Sequence, residues 1–399
     1  MSNLQLLPLF KATWETLYMV FVASFISVFG GLLLGALMFV TGKRQALANA
    51  LVHRMLGAVV NVTRSLPFII LMILLIPFTR LLVGTTIGTN AALVPLTIAA
   101  IPFYARICEN ALSEVPFGLI EAGEAMGATP WQIITRILIP ESLPSLIRGG
   151  TLLVIGLIGY SAMAGVVGGG GLGELAINYG YQRFDVIVML ETVVMLVILV
   201  QLVQLAGDYL AKHRALRLLS VGSLVFIVFC LAYQCWPTAA FSEKTIRVGV
   251  MSGESEKVMR VAATVAAKQY GIHLQIVTFT DYVQPNTALN NRSIDANIFQ
   301  HAPYLEGQMK ARHYALAPLG KTFVYPMGFY SKQLTNLSQL KNGAIIAIPN
   351  DPSNGGRSLL LLAKAHLIQL RPGVGVYAKL TDIIANPRHL HLTSHQMLF

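Results

Sequence analysis

The chain has 399 residues, of which 55% are apolar and only 12% charged, and its formal net charge is +11. A soluble domain carries about 25% charged residues, so a chain this poor in charge must turn much of its apolar surface toward lipid. The basic excess does not mark a nucleic-acid binder, because beyond Arg217, where most of it lies, the Lys and Arg residues stand singly among apolar ones and form no cluster or stripe.

Up to Arg217 the chain carries 13 Lys/Arg and 10 Asp/Glu, and beyond it 16 and 8, where long apolar runs also become rarer. This pattern reads as a membrane part over residues 1–217, a tether over 218–242 and an external domain over 243–399. Crossing a bilayer takes about 20 helical residues. Charge-free runs of that length occur at 16–42, 81–105, 149–173 and 218–242. Two more spans are expected at 55–79, which contains Arg64, and at 186–207, where Glu191 needs a bundle-facing or interfacial position. The expected fold class is a mainly α membrane protein with six transmembrane helices, followed by an α/β domain.

Orientation follows from the basic residues in the connections. Lys43 and Arg44, then Arg106, Arg136 and Arg148, then Lys212, Arg214 and Arg217 fall after the first, third and fifth spans, while the opposite side offers mainly Arg80 and Arg183. The amino terminus and the tail are therefore expected outside, with the connection between the third and fourth spans in the cytoplasm. No cleavable signal peptide is expected, because the first apolar run is too long and lacks a small-residue cleavage site. Cys108, Cys230 and Cys235 all lie in or beside spans, so the external domain cannot rely on disulfides. Gln234 precedes Cys235 where a lipidation signal needs a small residue, so a buried cysteine is expected there.

The cytoplasmic connection, about 116–140, contains "EAGEAMGATPWQIITRILIP" and predicts two short helices. Pro116 suits a first helical position, and Gly127 can take the left-handed conformation that closes a helix. Thr129 caps the second helix, Pro130 starts it, Gln132 completes a capping box and Pro140 is expected to end it. Ala122, Gly123 and Ala125 give the first helix a small-residue face that another surface can approach closely.

The spacing Glu121-Ala122, Gly127, Ile137 and Pro140 resembles the EAA loop of ABC importer permeases, with Gly123 in place of the second Ala and Ile139 in place of the Leu. "TRSLPFIILMILLIPFTR" before it and "GYSAMAGVVGGGGLGELAINYGY" after it extend the likeness, so that residues 1 to about 212 are similar to the methionine-uptake permeases of bacteria. The resemblance implies a coupling helix, with Glu121, Ala122, Gly123, Ala125, Gly127 and Pro140, gripped by a dimer of separate cytoplasmic ATPase subunits. It also implies a permease homodimer with the pathway between the copies, and a translocation or gate role for Tyr160, Ser161 and Met163. ATP and magnesium would be bound by the partner ATPase, with no cofactor in this chain.

Two other segments imitate nucleotide sites. Gly168, Gly170 and Gly173 satisfy G-x-G-x-x-G, but they follow a membrane span rather than a strand, which points to a packing or gating loop. "GKT" at Gly320–Thr322 lacks the earlier glycine of a P-loop, because Ala315 occupies that place.

From Thr245 the period changes. "IRVGVM", "LQIVTF" and "DANIFQ" predict strands, with helices near Glu254–Tyr270 and over "APYLEGQMKARHY", and "AIIAIPN" begins another strand–helix unit. Such alternation implies parallel pairing, with ligands at the carboxyl ends of the strands. There "NDPSNGGRS" puts Arg357 near a helix N-terminus, a combination suited to a carboxylate. Tyr282, Phe299, His301 and Tyr304 follow strands and could pack on a thioether.

Residues from about Ile246 to Asn386 resemble the methionine-binding lipoproteins. This implies that Arg357 pairs the substrate carboxylate, with Asn350 and Asn354 near it and the four rings around the side chain. The sixth span would tether this domain at an effective concentration on the order of millimolar. The tail is expected to stop partway through the second lobe, as a frameshift or premature stop near Leu392 would leave it.

The function expected is the permease subunit of an ATP-driven importer of methionine or a close analogue in the bacterial inner membrane. Expected partners are the ATPase, a second permease copy and lipid, with a separate intact binding protein as a further candidate. Two alternatives are a tethered receptor that senses an amino acid without moving it, and an inactive fusion product.

Overall fold

The computed structural model describes residues 3–42, 48–212, 245–323 and 326–395. The expected sixth span, Lys43, Arg44, Arg214, Arg217, Cys230 and Cys235 lie outside the described residues. The chain divides into two compact units that meet in sequence at Thr245 and Ile246.

The first unit is helical: α1 (Asn3–Thr41), α2 (Ala50–Ser65), α3 (Phe68–Leu74), α4 (Ile76–Val83), α5 (Thr89–Ser113), α6 (Phe117–Ala125), α7 (Pro130–Ile133), α8 (Ile139–Val166), α9 (Gly171–Leu175) and α10 (Val186–Lys212). Among the described residues four helices are long and apolar enough to cross a membrane, Leu7–Thr41, Thr89–Ser113, Pro130–Val166 and Val186–Lys212. The expected span at 55–79 is not one straight helix. Ala50–Ser65 and Phe68–Leu74 meet at 105°, and counting this bent pair brings the spans to five. The cause is Pro67, which disfavours helix in the residue before it and leaves Leu66 extended at φ −80°, ψ 129°.

The expected boundaries of the third and fourth spans also shift. Gly84 and Gly88 take positive φ before Thr89, and α5 runs on past Arg106 because Arg106 pairs with Glu109 at 2.7 Å and reaches Asn61 at 2.9 Å. Charge is tolerated where it is paired, so counting charge-free residues sets the third window too early, and it sets the fourth too late, since the helix that carries it begins before Glu141 and Arg148 and ends at Val166.

The core of this unit is the seam of α1 with α5 and α8, centred on Met19, Ala23, Leu96, Tyr104, Cys108, Leu153 and Leu157. Glycines at a four-residue spacing, Gly31 and Gly35, bring the α1 backbone against Ile101, Tyr104, Ala105 and Cys108, the close approach that replaces hydrophobic driving force between membrane helices.

The expected packing loop is present between α8 and α9. A Cβ on Gly173 would overlap the Ala162 carbonyl oxygen and lie 2.5 Å from Ala162 Cα, and one on Gly165 would overlap the Glu174 amide. The loop is clamped to α1: Gly171 N–H donates to Glu15 Oε2 at 2.9 Å and Leu172 N–H to Thr16 Oγ1 at 2.9 Å, while Gly170 N–H donates to Glu174 Oε2 at 3.0 Å.

The second unit is α/β. Its strands are β1 (Thr245–Met251), β2 (His273–Phe279), β3 (Ala296–Ile298), β4 (Ile345–Pro349), β5 (Gln369–Leu370), β6 (Ile383–Ala385) and β7 (His391–His395). Its helices are α11 (Glu254–Tyr270), α12 (Gln284–Asn290), α13 (Ala302–Arg312) and α14 (Pro352–Lys364). One sheet has the order β2-β1-β3, with β1 and β3 parallel from Val248 opposite Ala296; β4 and β7 pair in parallel from Ile345 opposite His391. The strand–helix alternation read from the sequence is thus realised, parallel pairing included. Arg247 anchors the start of the first sheet by donating to both oxygens of Asp295, which holds that carboxyl below its usual pKa.

Candidate functional site

Local sequence builds the hairpin between α5 and α8. Helix α6 closes in a paired-bond turn: Ala128 N–H donates to Gly123 O and Gly127 N–H to Glu124 O, at 3.0 and 2.9 Å. That geometry needs a left-handed residue, which Gly127 supplies at φ +77°. The Thr129 capping box forms, with Gln132 N–H on Thr129 Oγ1 and Thr129 N–H on Gln132 Oε1.

Three expectations for the hairpin need correction. Pro116 is the N-cap rather than the first helical residue, and α6 starts at Phe117. Pro140 does not end the second arm. A π-helical segment, Ile134–Leu138, carries it into α8, with Ile139 N–H bonded to Ile134 O five residues back, so that Pro140 lies inside a continuous helix directly after the wide turn. Finally, Gly123 is not part of the exposed face. It is buried, and a Cβ there would lie 2.7 Å from Ile137 Cδ1 of the other arm.

Glu121, Ala122, Glu124 and Ala125 are exposed, and among the described residues no ion pair engages either glutamate. The tip adds two side chains not singled out from sequence, Met126 at 87% and Trp131 at 71% exposure. Beneath them Ile120, Ile133 and Leu138 pack with Phe39 and Val40 of α1 and with Leu112 and Val115 at the end of α5. The hairpin is therefore seated on two membrane helices and joined without a break to a third.

The expected gate residues separate on α8. Tyr160 and Met163 lie on its exposed face, where Tyr160 stacks on Phe68 at 4.6 Å between centroids, whereas Ser161 is buried with its hydroxyl donating to Ile158 O.

In the second unit the four expected rings do gather. Tyr282, Phe299 and Tyr304 have mutual centroid distances of 5.7–6.1 Å, and His301 lies 6.4 Å from Tyr304. Tyr304 is buried, donates to Tyr282 O at 2.9 Å, and its pKa is raised by burial. An amide network of Asn286, Asn297 and Gln300 fixes the chain beside them, with Asn286 and Gln300 exchanging two bonds of 2.7 Å. No grouping of three or more His, Cys, Asp or Glu able to hold a metal ion occurs among the described residues.

The N-terminus of α14 departs from the carboxylate trap read from the sequence. Asp351 caps it with its own carboxylate, Oδ1 accepting from Asn354 N–H at 2.8 Å and from Ser353 Oγ at 2.8 Å. One helix amide is thus already engaged by an anion, and the guanidinium of Arg357, half-buried, is a charged donor in the following turn. Asn350 is exposed, while Asn354 is buried and bonded to Asp351 and Arg357. Arg357 also borders a cavity of about 220 Å³ lined by Met327, Leu360, Leu361 and Lys364. The Asp-Pro pair was a readable cap signal.

Burial, with a smaller contribution from the Arg357 guanidinium, holds the His301 pKa below its ordinary 6.5, against an opposing pull from Asp351. The folded state therefore favours the neutral ring. Its contribution to stability is complete above the unfolded pKa of about 6.5 and is lost as pH falls through the lowered folded value. Thermal unfolding of the full chain between about pH 7.5 and 5 should show an acid destabilisation that is reduced in His301→Asn. Equal slopes in the two proteins would exclude His301 as its source.

Comparison with known proteins gives each unit a relative. Residues 31–219 match the family model "Binding-protein-dependent transport system inner membrane component", and residues 246–396 match "NlpA lipoprotein". The chain is 54% identical over 205 residues to the probable D-methionine transport system permease protein MetI of Vibrio cholerae, covering 51% of this chain and 91% of that protein. It is 53% identical over 165 residues to the D-methionine transport system permease protein MetI of Escherichia coli K12, covering 41% and 76%. Among solved structures, an inward-facing form of the MetNI methionine ABC transporter aligns at 51% identity and a TM-score of 0.53, over 53% of this chain and 98% of the aligned chain. This chain belongs to the binding-protein-dependent transport system inner membrane components, a MetI-like multi-pass inner-membrane permease that carries an NlpA-type domain behind it.

Proposed function

We propose that the chain is the permease subunit of an importer that moves D- or L-methionine, or a close analogue, driven by ATP hydrolysis on a separate pair of ATPase subunits. ATP and magnesium belong to that partner, and this chain supplies a lever rather than a catalytic group. The permease works as a homodimer, with the exposed Tyr160 and Met163 face of α8 toward the pathway between the copies. The NlpA-type domain stands on the periplasmic side, where Arg357 pairs the substrate carboxylate and Tyr282, Phe299, His301 and Tyr304 surround its thioether.

One observation carries this reading: Trp131 of the exposed knob stands on the 37-residue helix Pro130–Val166 itself, and α6, which presents Glu121, Ala122 and Ala125 with Met126 at its end, packs on that helix through Ile120 and Gly123 against Ile133 and Ile137. A rigid body that ends in a small-residue and apolar tip transmits displacement. A flexible loop would absorb it. The test is ATP-dependent methionine uptake into vesicles that hold the chain and its ATPase. Glu121→Lys reverses a charge that no described residue neutralises, and it should lower uptake about tenfold or more while leaving the folded yield intact. An unchanged rate would remove the hairpin as the coupling point.

A further inference from the structure

We propose that Asp351 and Asn354 are positioning residues that set the direction of the Arg357 guanidinium, a role that rests on Arg357 receiving the substrate carboxylate. The structure contains a one-way relay. Asp351 Oδ2 accepts from Asn354 Nδ2 at 3.0 Å, and Asn354 Oδ1 in turn accepts from Arg357 Nη1 at 3.0 Å. Asn354 is 6% exposed and its side-chain amide is engaged at both ends by these two bonds, which hold it in place between Asp351 and Arg357.

The polarity of this relay is chemically forced. A carboxylate has no proton to give, so the amide of Asn354 must turn its NH2 toward Asp351. Its oxygen then points at Arg357 and fixes Nη1. Nε and Nη2 are left without an acceptor among the described residues. That edge of the guanidinium is the one able to grip a carboxylate with two parallel bonds. Asn354 therefore acts through Arg357, as a positioning residue rather than a ligand contact, and Asp351 dictates which way its amide faces.

Asp351→Asn separates this role from the structural one. Asn caps a helix as well as Asp, so α14 keeps its N-cap. The new NH2 faces that of Asn354, however, and turning the Asn354 amide would set a donor against Arg357. In the full chain, affinity for L-methionine should fall about 10- to 100-fold, because a hydrogen bond to a charged group is lost from the relay. Affinity for L-methioninol, which lacks the carboxylate, should not change. Equal losses for both ligands, or no loss for either, would overturn the positioning role.

Arg357→Gln tests the underlying reading by itself. If it leaves the preference for methionine over methioninol intact, carboxylate recognition at Arg357 fails. The relay itself is tested without ligand, by phenylglyoxal labelling of Arg357 read by peptide mass spectrometry. Labelling should rise severalfold in Asp351→Asn and return toward the wild-type rate in Asp351→Asn/Asn354→Asp, where an acceptor again faces Nη1. A rate that does not respond to either change would overturn the relay.

Discussion

Replacing Gly173 with valine is expected to leave little folded protein in the membrane. The Gly173 Cα sits against the Ala162 backbone, with an added Cβ 2.5 Å from Ala162 Cα and 2.7 Å from its carbonyl carbon. Backbone cannot rotate aside as the end of a side chain can. Overpacking in a well-filled core costs about 1–3 kcal/mol, and here the whole α8–α9 turn would have to lift from α1, breaking the bonds from Gly171 to Glu15 and from Leu172 to Thr16. The measurement is the yield and thermal midpoint of the purified chain. Gly156→Ala provides the control on the same helix, because a Cβ there meets nothing within 4 Å. It should be neutral or slightly stabilising, since Ala exceeds Gly in helix propensity by up to about 1 kcal/mol. A Gly173→Val protein that melts with the wild type would mean that the loop is not held where the packing puts it.

How much of this was legible in the sequence depends on how local the determining interaction is. Gly127 and the Thr129–Gln132 pair satisfy backbone groups within four residues of themselves, and both caps formed as expected. Strands β1 to β4 were legible for the same reason, through short apolar runs between turns, whereas β5, β6 and β7 were not singled out. Pro140 misled because a proline forbids one hydrogen bond without forbidding a wider turn, and the π segment bypasses the forbidden bond. Gly123 was placed on the wrong face because a small residue fits both a docking surface and a tight seam. Only the position of Ile137 on the second arm decides which.

The pocket divides along the same line. The rings were found because each follows a strand, and chain order brings them to one sheet end. What Asn354 does could not be read, because its role is set by a bond to Asp351 and another to Arg357, and hydrogen-bond direction is a property of the network rather than of the residue. The same residue type at the same place could contact a ligand or hold another side chain. Burial decides for the second.

The π segment also yields a sharp test of the lever. Five residues, Ile134–Leu138, are wound one bond wider than an α-helix, so this stretch holds a spare residue between the knob and α8. Deleting Thr135 should tighten it to an ordinary helix and keep Trp131 and α6 in nearly the same rotational phase, so uptake should stay close to wild type. Inserting one alanine after Thr135 has the opposite effect. One more residue turns the knob by about 100° and moves it by about 1.5 Å relative to the span. The seam that Ile133 and Leu138 share with Phe39 and Leu112 would then be out of register. Uptake should fall about tenfold or more, as expected when a working group is misplaced by an ångström or so. ATP hydrolysis by the partner should continue, because nothing in this chain is asked to supply that chemistry. If the insertion variant transports as well as the wild type, the arm between Trp131 and Val166 bends freely, and force cannot enter the membrane bundle along it.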